Sequence, residues 1–144
     1  SAADNKQLVS DAWGAITAGN PDGFMSRLAD DATWTFFGTH RFAGTIRGKD
    51  ELVAKLFAPL GEVLADGIKV HVDTLTAEGD RVVTPWIARG HQRGAIMGIP
   101  ATGRQISVNG MTTEKISGGK VWDTSSVIDT LDLLAQLGAV MNPK

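Results

Sequence analysis

Three long stretches in which apolar and polar residues alternate constrain the fold of this chain more than any other feature. They run over residues 81–90, 105–116 and 121–128, and turns rich in Gly, Pro and Ser separate them. Alternation with a period of two is typical of β-strands that bury one face, and short turns join such strands into antiparallel pairs. The stretch from Trp86 to Gly138 therefore predicts antiparallel strands followed by a helix, and its polar residues should project from one sheet face.

The residues before these strands show helical periodicity. Apolar side chains recur at helical spacing from about Asp4 to Ala18, and Asn20 with Pro21 is a typical start of a short second helix. Residues 49–64 have one apolar face, and Pro59 should kink that helix or end its regular part. Helices at the start, followed by antiparallel strands, predict an α+β fold in which the helices cover one face of a curved sheet and leave a pocket.

Two shorter elements complete the predicted order. Residues 32–37 are β-branched and aromatic, which predicts a strand with Trp34 and Phe36 on one face. Asp129 should cap the start of a last helix, which Gly138 should end.

Length, composition and charge bound the function. A chain of 144 residues with 42% hydrophobic content suits one domain, residues 1–144, with a sizeable core. The formal net charge of -2 and the scattered basic residues argue against a nucleic-acid partner. No apolar run of about 18 residues predicts a membrane span, and the N-terminus has no pattern of a secretory signal. We therefore expect a cytoplasmic protein that does not enter a membrane.

The chain contains neither cysteine nor tyrosine. Without cysteine there is no disulfide, no thiol nucleophile and no cysteine-ligated metal. His40, His71 and His91 lack the HxH or HxxxH spacing of metal ligands, so no metal site is expected. Acid–base chemistry must therefore come from His, Asp, Glu, Arg, Lys or water, and we expect no cofactor.

From Leu8 to Gly138 the chain resembles the SnoaL-like polyketide cyclases. The resemblance rests on LADDATWTFFGTHRFAGTIRGKDEL, on GIPATGRQISVNG, and on GGKV followed by DTLDLLAQLG. This family belongs to a cone-shaped α+β superfamily with a cystatin-like fold, which includes nuclear transport factor two, ketosteroid isomerase and limonene epoxide hydrolase. The resemblance implies a pocket between N-terminal helices and a curved, mainly antiparallel sheet. It also implies an enzyme that acts without a cofactor on an apolar cyclic or polyketide-like molecule.

The catalytic groups of these relatives are largely replaced in this chain. Cyclases of this type have a tryptophan–aspartate pair on the last strand and a histidine on the strand before it. In the alignment with these cyclases, Ser125 and Ser126 take the positions of the tryptophan and the aspartate, and Thr112 lies near the position of the histidine. Against limonene epoxide hydrolase, Arg89 matches an arginine, whereas His91 and Ser126 replace its two aspartates.

Arg89 and His91 are the candidate catalytic residues. They share a strand face with Ile87, and the epoxide hydrolase match indicates that this face is the pocket side. Histidine titrates near neutrality, so His91 would be the general base and Arg89 would stabilise an oxyanion. The alternative is that the strand has reached the rim at Gly90, which leaves His91 in solvent.

Hydroxyl and aromatic side chains are the candidate binding residues. Ser126 and Thr112 should face the cavity and donate to a ligand carbonyl, or else fill space beside a structural water. Trp34, Phe36 and Trp122 should stack on a planar ligand, or else belong to the core.

Two classes of function stay open. The first is a cofactor-independent enzyme that works by proton transfer, cyclisation or hydration, including an epoxide hydrolase-like or a hydroxylation-assisting reaction. The second is a protein that binds an apolar small molecule without turning it over. The long strands carry apolar residues on both faces, so a homodimer that pairs through the sheet is also expected.

Overall fold

The computed structural model describes residues 1–140 and has an open curved sheet with helices on one face. The helical elements are α1 (Ala2–Thr17), α2 (Pro21–Met25), α3 (Lys49–Leu52), a π-helical turn (Val53–Phe57), α4 (Ala58–Val63) and α5 (Thr130–Gln136). The strands are β1 (Leu28–Phe36), β2 (Gly44–Arg47), β3 (Lys69–Val72), β4 (Thr76–Glu78), β5 (Arg81–His91), β6 (Gln105–Ser117) and β7 (Lys120–Ile128). The predicted α+β class is confirmed, β4 is a strand that the sequence did not predict, and the last four residues of the expected domain lie outside the described residues.

The seven strands follow the order β2-β1-β7-β6-β5-β3, with β4 beside β5. All neighbours are antiparallel except β1 and β7, which run parallel. The long strands β5, β6 and β7 lie next to one another, with a two-residue turn between β6 and β7 and a longer connection, residues 92–104, between β5 and β6. They carry the polar positions on which the functional prediction depends.

Sequence signals set the helix boundaries. The Asn20 side chain accepts a hydrogen bond from the Gly23 N–H at 3.1 Å, and the Asp129 carboxylate accepts one from the Asp132 N–H at 3.1 Å, so both predicted caps are confirmed. Pro59 interrupts the third predicted helix as expected. A π-helical turn precedes it, closed by a bond from the Ala58 N–H to the Val53 carbonyl.

Strand β1 starts at Leu28, four residues before its predicted start. Leu28 is 2% exposed and pairs with Val121 of β7, and the register shifts between Leu28 and Thr33. This irregularity hides the strand periodicity in the sequence, so pairing with β7 decides the local structure. None of the helices in residues 1–140 is long and apolar enough to cross a membrane.

The core has two clusters on the face of the sheet that α1 covers, which we call the inner face. The larger cluster joins α1 and α2 to β1 and contains the rings of Trp13, Phe24, Trp34, Phe36 and Phe57. Trp86 stacks on Trp13 at the border of this cluster, and neighbouring rings of the group have centroids 5.4 to 6.3 Å apart. The smaller cluster packs Val63 and Leu64 of α4 with Leu133 and Leu137 near α5. The two clusters leave a stretch of the inner face between them.

Candidate functional site

Three hydroxyl side chains meet in the middle of the inner face. In the register, Thr84 of β5 lies opposite Thr112 of β6, and Thr112 lies opposite Ser126 of β7. Residues directly opposite each other point to the same face of a sheet. All three are at most 1% exposed, and the Thr112 and Ser126 hydroxyl oxygens are 2.9 Å apart. Ser126 and Thr112 therefore both point to the inner face, whereas their contact with a ligand stays a prediction.

Two tryptophans bond to this hydroxyl pair. The Trp34 indole N–H donates to the Ser126 hydroxyl at 3.0 Å, and the Trp86 N–H donates to the Thr112 hydroxyl at 2.8 Å. We call Trp34, Ser126, Thr112 and Trp86 the hydroxyl–indole network. The pair holds two indole rings in place instead of facing open space.

This network contains more hydrogen-bond donors than hydrogen bonds. Two indole N–H groups and two hydroxyl groups can donate, whereas three hydrogen bonds join the four side chains. Within the described residues, one hydroxyl hydrogen is therefore left without an acceptor. That hydrogen is available to an acceptor from outside the chain.

Trp86 forms a wall of the network and lies flat against the backbone of β6. A Cβ atom placed on Gly110 would come within 2.1 Å of the Trp86 ring, so only glycine fits at this position. The other side of the ring stacks on Trp13, with centroids 6.2 Å apart. Unlike Trp34, Trp86 stays half-buried.

The inner face is less completely covered beside this wall. Inner-face residues at the two ends of the sheet are buried, whereas those between the two core clusters are only half-buried. We call this stretch the inner gap, and its residues are Trp86, Ala88, Val108, Gly110 and Ile128. Its surface is apolar apart from the backbone, which suits an apolar ligand.

Glu114 is a buried carboxyl that the sequence analysis did not single out. It is 4% exposed, and its two oxygens accept from the Trp13 indole N–H at 3.0 Å and the Thr84 hydroxyl at 2.9 Å. Burial raises the pKa of this carboxyl to about 7, although both hydrogen bonds act in the opposite direction. The signal was present in the sequence, because Glu114 follows Thr112 by two residues and shares its face.

Arg89 and His91 lie on the opposite face of β5, which we call the outer face. Inner positions of β5 have even numbers, from Thr84 through Trp86 to Gly90, where an added Cβ would meet Leu64 of the core. Arg89 is exposed, and His91 is half-buried at the strand end. The expected position of Arg89 and His91 on the pocket side is therefore wrong, because strand parity turns them away.

The aromatic candidates divide between core and surface. Trp34 and Phe36 are 5% and 8% exposed and stack at 5.7 Å within the larger core cluster. Trp122 is 41% exposed, and the Lys115 ammonium lies 5.4 Å from its ring centroid on the outer face. The register of β6 and β7 shifts opposite Trp122, between Lys115 and Ile116, and this shift breaks the alternation of inner and outer side chains at Trp122. Trp122 is therefore not placed to bind a ligand in the inner gap.

Two open depressions lie outside the inner gap. One of about 480 Å³ is polar and lies on the outer face, lined by Thr33, Thr35, Arg47, Lys115 and Trp122 among others. The other, of about 490 Å³, lies at the end of β7 beside His40. Both nitrogens of His40 already bond to the backbone of Phe37 and Phe42 in its own loop.

Among residues 1–140, no group of three or more His, Cys, Asp and Glu side chains is placed to hold a metal ion.

The comparisons identify the family. Residues 47–137, more than half of the chain, match the family model of SnoaL-like polyketide cyclases. The chain therefore belongs to the SnoaL-like polyketide cyclase family. None of the curated proteins matches it.

Solved structures share the fold over nearly the whole chain. TsrD from Streptomyces laurentii is 28% identical, with a TM-score of 0.78 over 97% of this chain and 98% of its own. A protein from Jannaschia, provisionally described as a SnoaL-like polyketide cyclase, is 25% identical, with a TM-score of 0.79 over 96% and 94%. AclR from Streptomyces galilaeus, provisionally described as a hydroxylase, is 22% identical, with a TM-score of 0.84 over 100% and 87%. At that identity AclR supports the fold alone.

Proposed function

We propose that this protein is a cofactor-independent enzyme that binds an apolar cyclic or polyketide-like molecule in the inner gap and acts by proton transfer or cyclisation. The observation that carries the proposal is the hydroxyl–indole network at the wall of the gap, with its one hydrogen left for an outside acceptor. Membership in the SnoaL-like polyketide cyclase family supports the substrate class.

The Trp86 ring controls access to the hydroxyl pair. Because Thr112 and Ser126 have almost no exposed surface, a ligand first contacts the exposed part of the Trp86 side chain. A ligand carbonyl that displaces this indole reaches the Thr112 hydroxyl, which can donate to the carbonyl oxygen while the Ser126 hydroxyl donates to Thr112. Such a donor stabilises negative charge as the carbonyl becomes an enolate.

A second candidate is a protein that binds such a molecule without turning it over. It is favoured by the hydroxyl pair, which has no base within hydrogen-bond distance in the described residues. A hydroxylation-assisting role has support only from the fold shared with AclR. The epoxide hydrolase-like alternative loses its support, because its matching residue Arg89 lies on the outer face.

The test combines a ligand panel with two neighbouring threonines. The purified protein is incubated with polyketide intermediates and epoxides, and products are detected by mass spectrometry, with binding followed by tryptophan fluorescence. We expect Thr112→Val to weaken binding about tenfold, the scale of one hydrogen bond. Thr113→Val is the matched control, because Thr113 lies on the outer face, opposite Val83 and Ser125. Equal effects of the two variants would contradict the proposed site, and binding without product would favour the second candidate.

We also infer that the protein is a homodimer in which a second copy covers the outer face. Met111 and Val127, neighbours across β6 and β7, are 47% and 53% exposed there. Val83 and Ile87 of β5 add apolar side chains to the same surface. Apolar residues grouped on one open sheet face are typical of a surface that pairs.

A further inference from the structure

Glu114 occupies a position at which a carboxyl is costly. It lies between Val82 and Thr124 in the register, both at most 3% exposed, and the side chain of Trp13 covers it. No basic group of the described residues lies within 4.0 Å of it. A glutamine would have the same shape, would accept from Trp13 and donate to Thr84, and would carry no charge to bury. The geometry therefore supplies no structural reason for an ionisable group.

We propose that Glu114 is the acid–base residue of the interior and exchanges a proton with a ligand whose enolisable carbonyl lies in the inner gap. This inference rests on the proposed function, for which it supplies the base that the hydroxyl pair lacks. It also narrows the substrate class to ketones that carry a hydrogen on the carbon next to the carbonyl.

The hydrogen bonds of Glu114 suit both protonation states. The Trp13 indole donates to one oxygen in either state. The Thr84 hydroxyl donates to the carboxylate, and it can reverse and accept from the carboxylic acid because a hydroxyl does both. The carboxyl can therefore gain and lose a proton without losing its partners.

The carboxyl is connected to the wall of the inner gap through Trp13 and Thr84. Trp13, which donates to Glu114, stacks on Trp86, and Thr84 precedes Trp86 by two residues on the same face. Displacement of the Trp86 ring by a ligand uncovers the Thr112 hydroxyl, and Glu114 follows Thr112 by two residues on the same face of β6. Thr112 then donates to the ligand carbonyl while the Ser126 hydroxyl donates to Thr112.

The proposed step conserves atoms and charge. The carboxylate takes a proton from the carbon next to the ligand carbonyl, and the electron pair of that C–H bond becomes part of the enolate. The enolate oxygen accepts a hydrogen bond from the Thr112 hydroxyl, which keeps its proton. Glu114 then returns the proton that it took to a carbon atom of the ligand. No oxidant, reductant or second substrate is needed.

No other charged side chain of residues 1–140 faces Glu114 from the elements that pack on it. Arg81, Lys115 and Asp123 form the neighbouring row across β5, β6 and β7, and that row points to the outer face. Asp11 on α1 is exposed. The titration of Glu114 is therefore set by burial and by its two donors.

The test is the exchange of hydrogen for deuterium next to the carbonyl of 1-tetralone, followed by NMR in D2O. The wild-type protein should accelerate exchange, with a rate that rises with pH through about 7, because the carboxylate is the reactive form. Glu114→Gln should lower the accelerated rate about a hundredfold while the affinity for 1-tetralone changes little. Glu78→Gln, at an exposed position of β4, is the matched control and should change neither.

The outcomes separate this inference from the proposed function. If the wild-type protein does not bind 1-tetralone or the panel ligands, the proposed pocket is wrong and this inference is overturned with it. Binding without exchange, or exchange that survives in Glu114→Gln, overturns the role of Glu114 and leaves the pocket intact.

A measurement on the wild-type protein covers the case in which Glu114→Gln does not fold. Carbon-13 NMR of the glutamate carboxyls should show one group that titrates near pH 7 and whose titration shifts when 1-tetralone binds. A Glu114 signal that is unchanged by bound 1-tetralone would overturn the inference.

Discussion

The two faces of the sheet use polar residues in opposite ways. On the inner face Thr84, Thr112, Glu114 and Ser126 are at most 4% exposed, and each bonds to another buried side chain. On the outer face polar side chains such as Lys115 and Asp123 form partly exposed ion pairs, and apolar side chains stay open. A buried polar group costs free energy unless it is paired, whereas an exposed ion pair contributes little. Substitutions on the inner face should therefore have large effects, and matched changes on the outer face should have small ones.

The largest expected effect on the free energy of unfolding comes from Glu114→Gln, and it depends on pH. The pKa of this carboxyl is about 7 in the folded protein, whereas a glutamate carboxyl in water has a pKa of 4.5. The folded state thus binds the proton more tightly than the unfolded state. The contribution of this proton to wild-type stability is fully present below about pH 4.5 and is lost as pH rises through about 7. Glutamine cannot ionise, so the variant should be more stable than wild type by about 3 kcal/mol at pH 8 and about equally stable at pH 4.

Urea unfolding at both pH values measures this difference. Glu78→Gln on the surface should show no such pH dependence and is the control. A Glu114→Gln variant that is less stable than wild type at pH 8 would mean that the carboxylate is stabilised in the fold, and that the contrast between the faces does not include this residue.

Gly110→Ala should destabilise the protein by about 2 kcal/mol, because a methyl group at this position collides with the Trp86 ring. The displaced ring should also lose its bond to Thr112, which shifts the tryptophan fluorescence. Gly14→Ala is the control, since nothing lies within 4 Å of the added atom and alanine favours the α1 helix. Equal stability of the two variants would show that the wall of the inner gap is loosely packed.

Much of the fold follows from local sequence signals. The caps at Asn20 and Asp129 and the break at Pro59 depend on neighbouring residues, so the sequence alone predicts them. The start of β1 at Leu28 depends on pairing with β7, a partner distant in the chain. No local pattern carries that information, and the predicted start was accordingly late.

The candidate-site residues were predicted from likenesses to other enzymes. The likeness to the cyclases indicated Ser126 and Thr112, which lie on the inner face, and strand parity continued by two residues from Thr112 places Glu114 there too. Arg89 and His91 were assigned to the pocket from a likeness to another enzyme, against the parity of β5. The tryptophan partners of the hydroxyls could not be predicted, because those contacts join residues far apart in the chain, such as Trp34 and Ser126.

Thr112→Val and Thr113→Val together compare the inner and outer faces at adjacent positions of β6. Valine keeps the shape of threonine but leaves the Trp86 indole N–H without its acceptor, which should cost about 1 to 2 kcal/mol. Thr113→Val is the matched control, because Thr113 lies on the outer face opposite Val83 and Ser125 and is half-buried. Urea unfolding of the two variants should differ by at least 1 kcal/mol. A larger loss in Thr113→Val would contradict the assignment of the faces.

Val127→Lys should have the smallest effect on the fold of the chain and a clear effect on its assembly. Val127 is 53% exposed beside Met111 on the outer face, so a lysine there has room in the monomer and should change the fold by no more than about 0.5 kcal/mol. If a second copy covers this surface, however, the new charges lose their hydration when the two copies pair. Light scattering at micromolar concentration should therefore give a dimeric mass for the wild-type protein and a monomeric mass for Val127→Lys. Val53→Lys, at a position that is 45% exposed on the π-helical turn, should keep the dimeric mass. A monomeric wild-type protein would mean that the outer face stays open, and its apolar residues would then need another explanation.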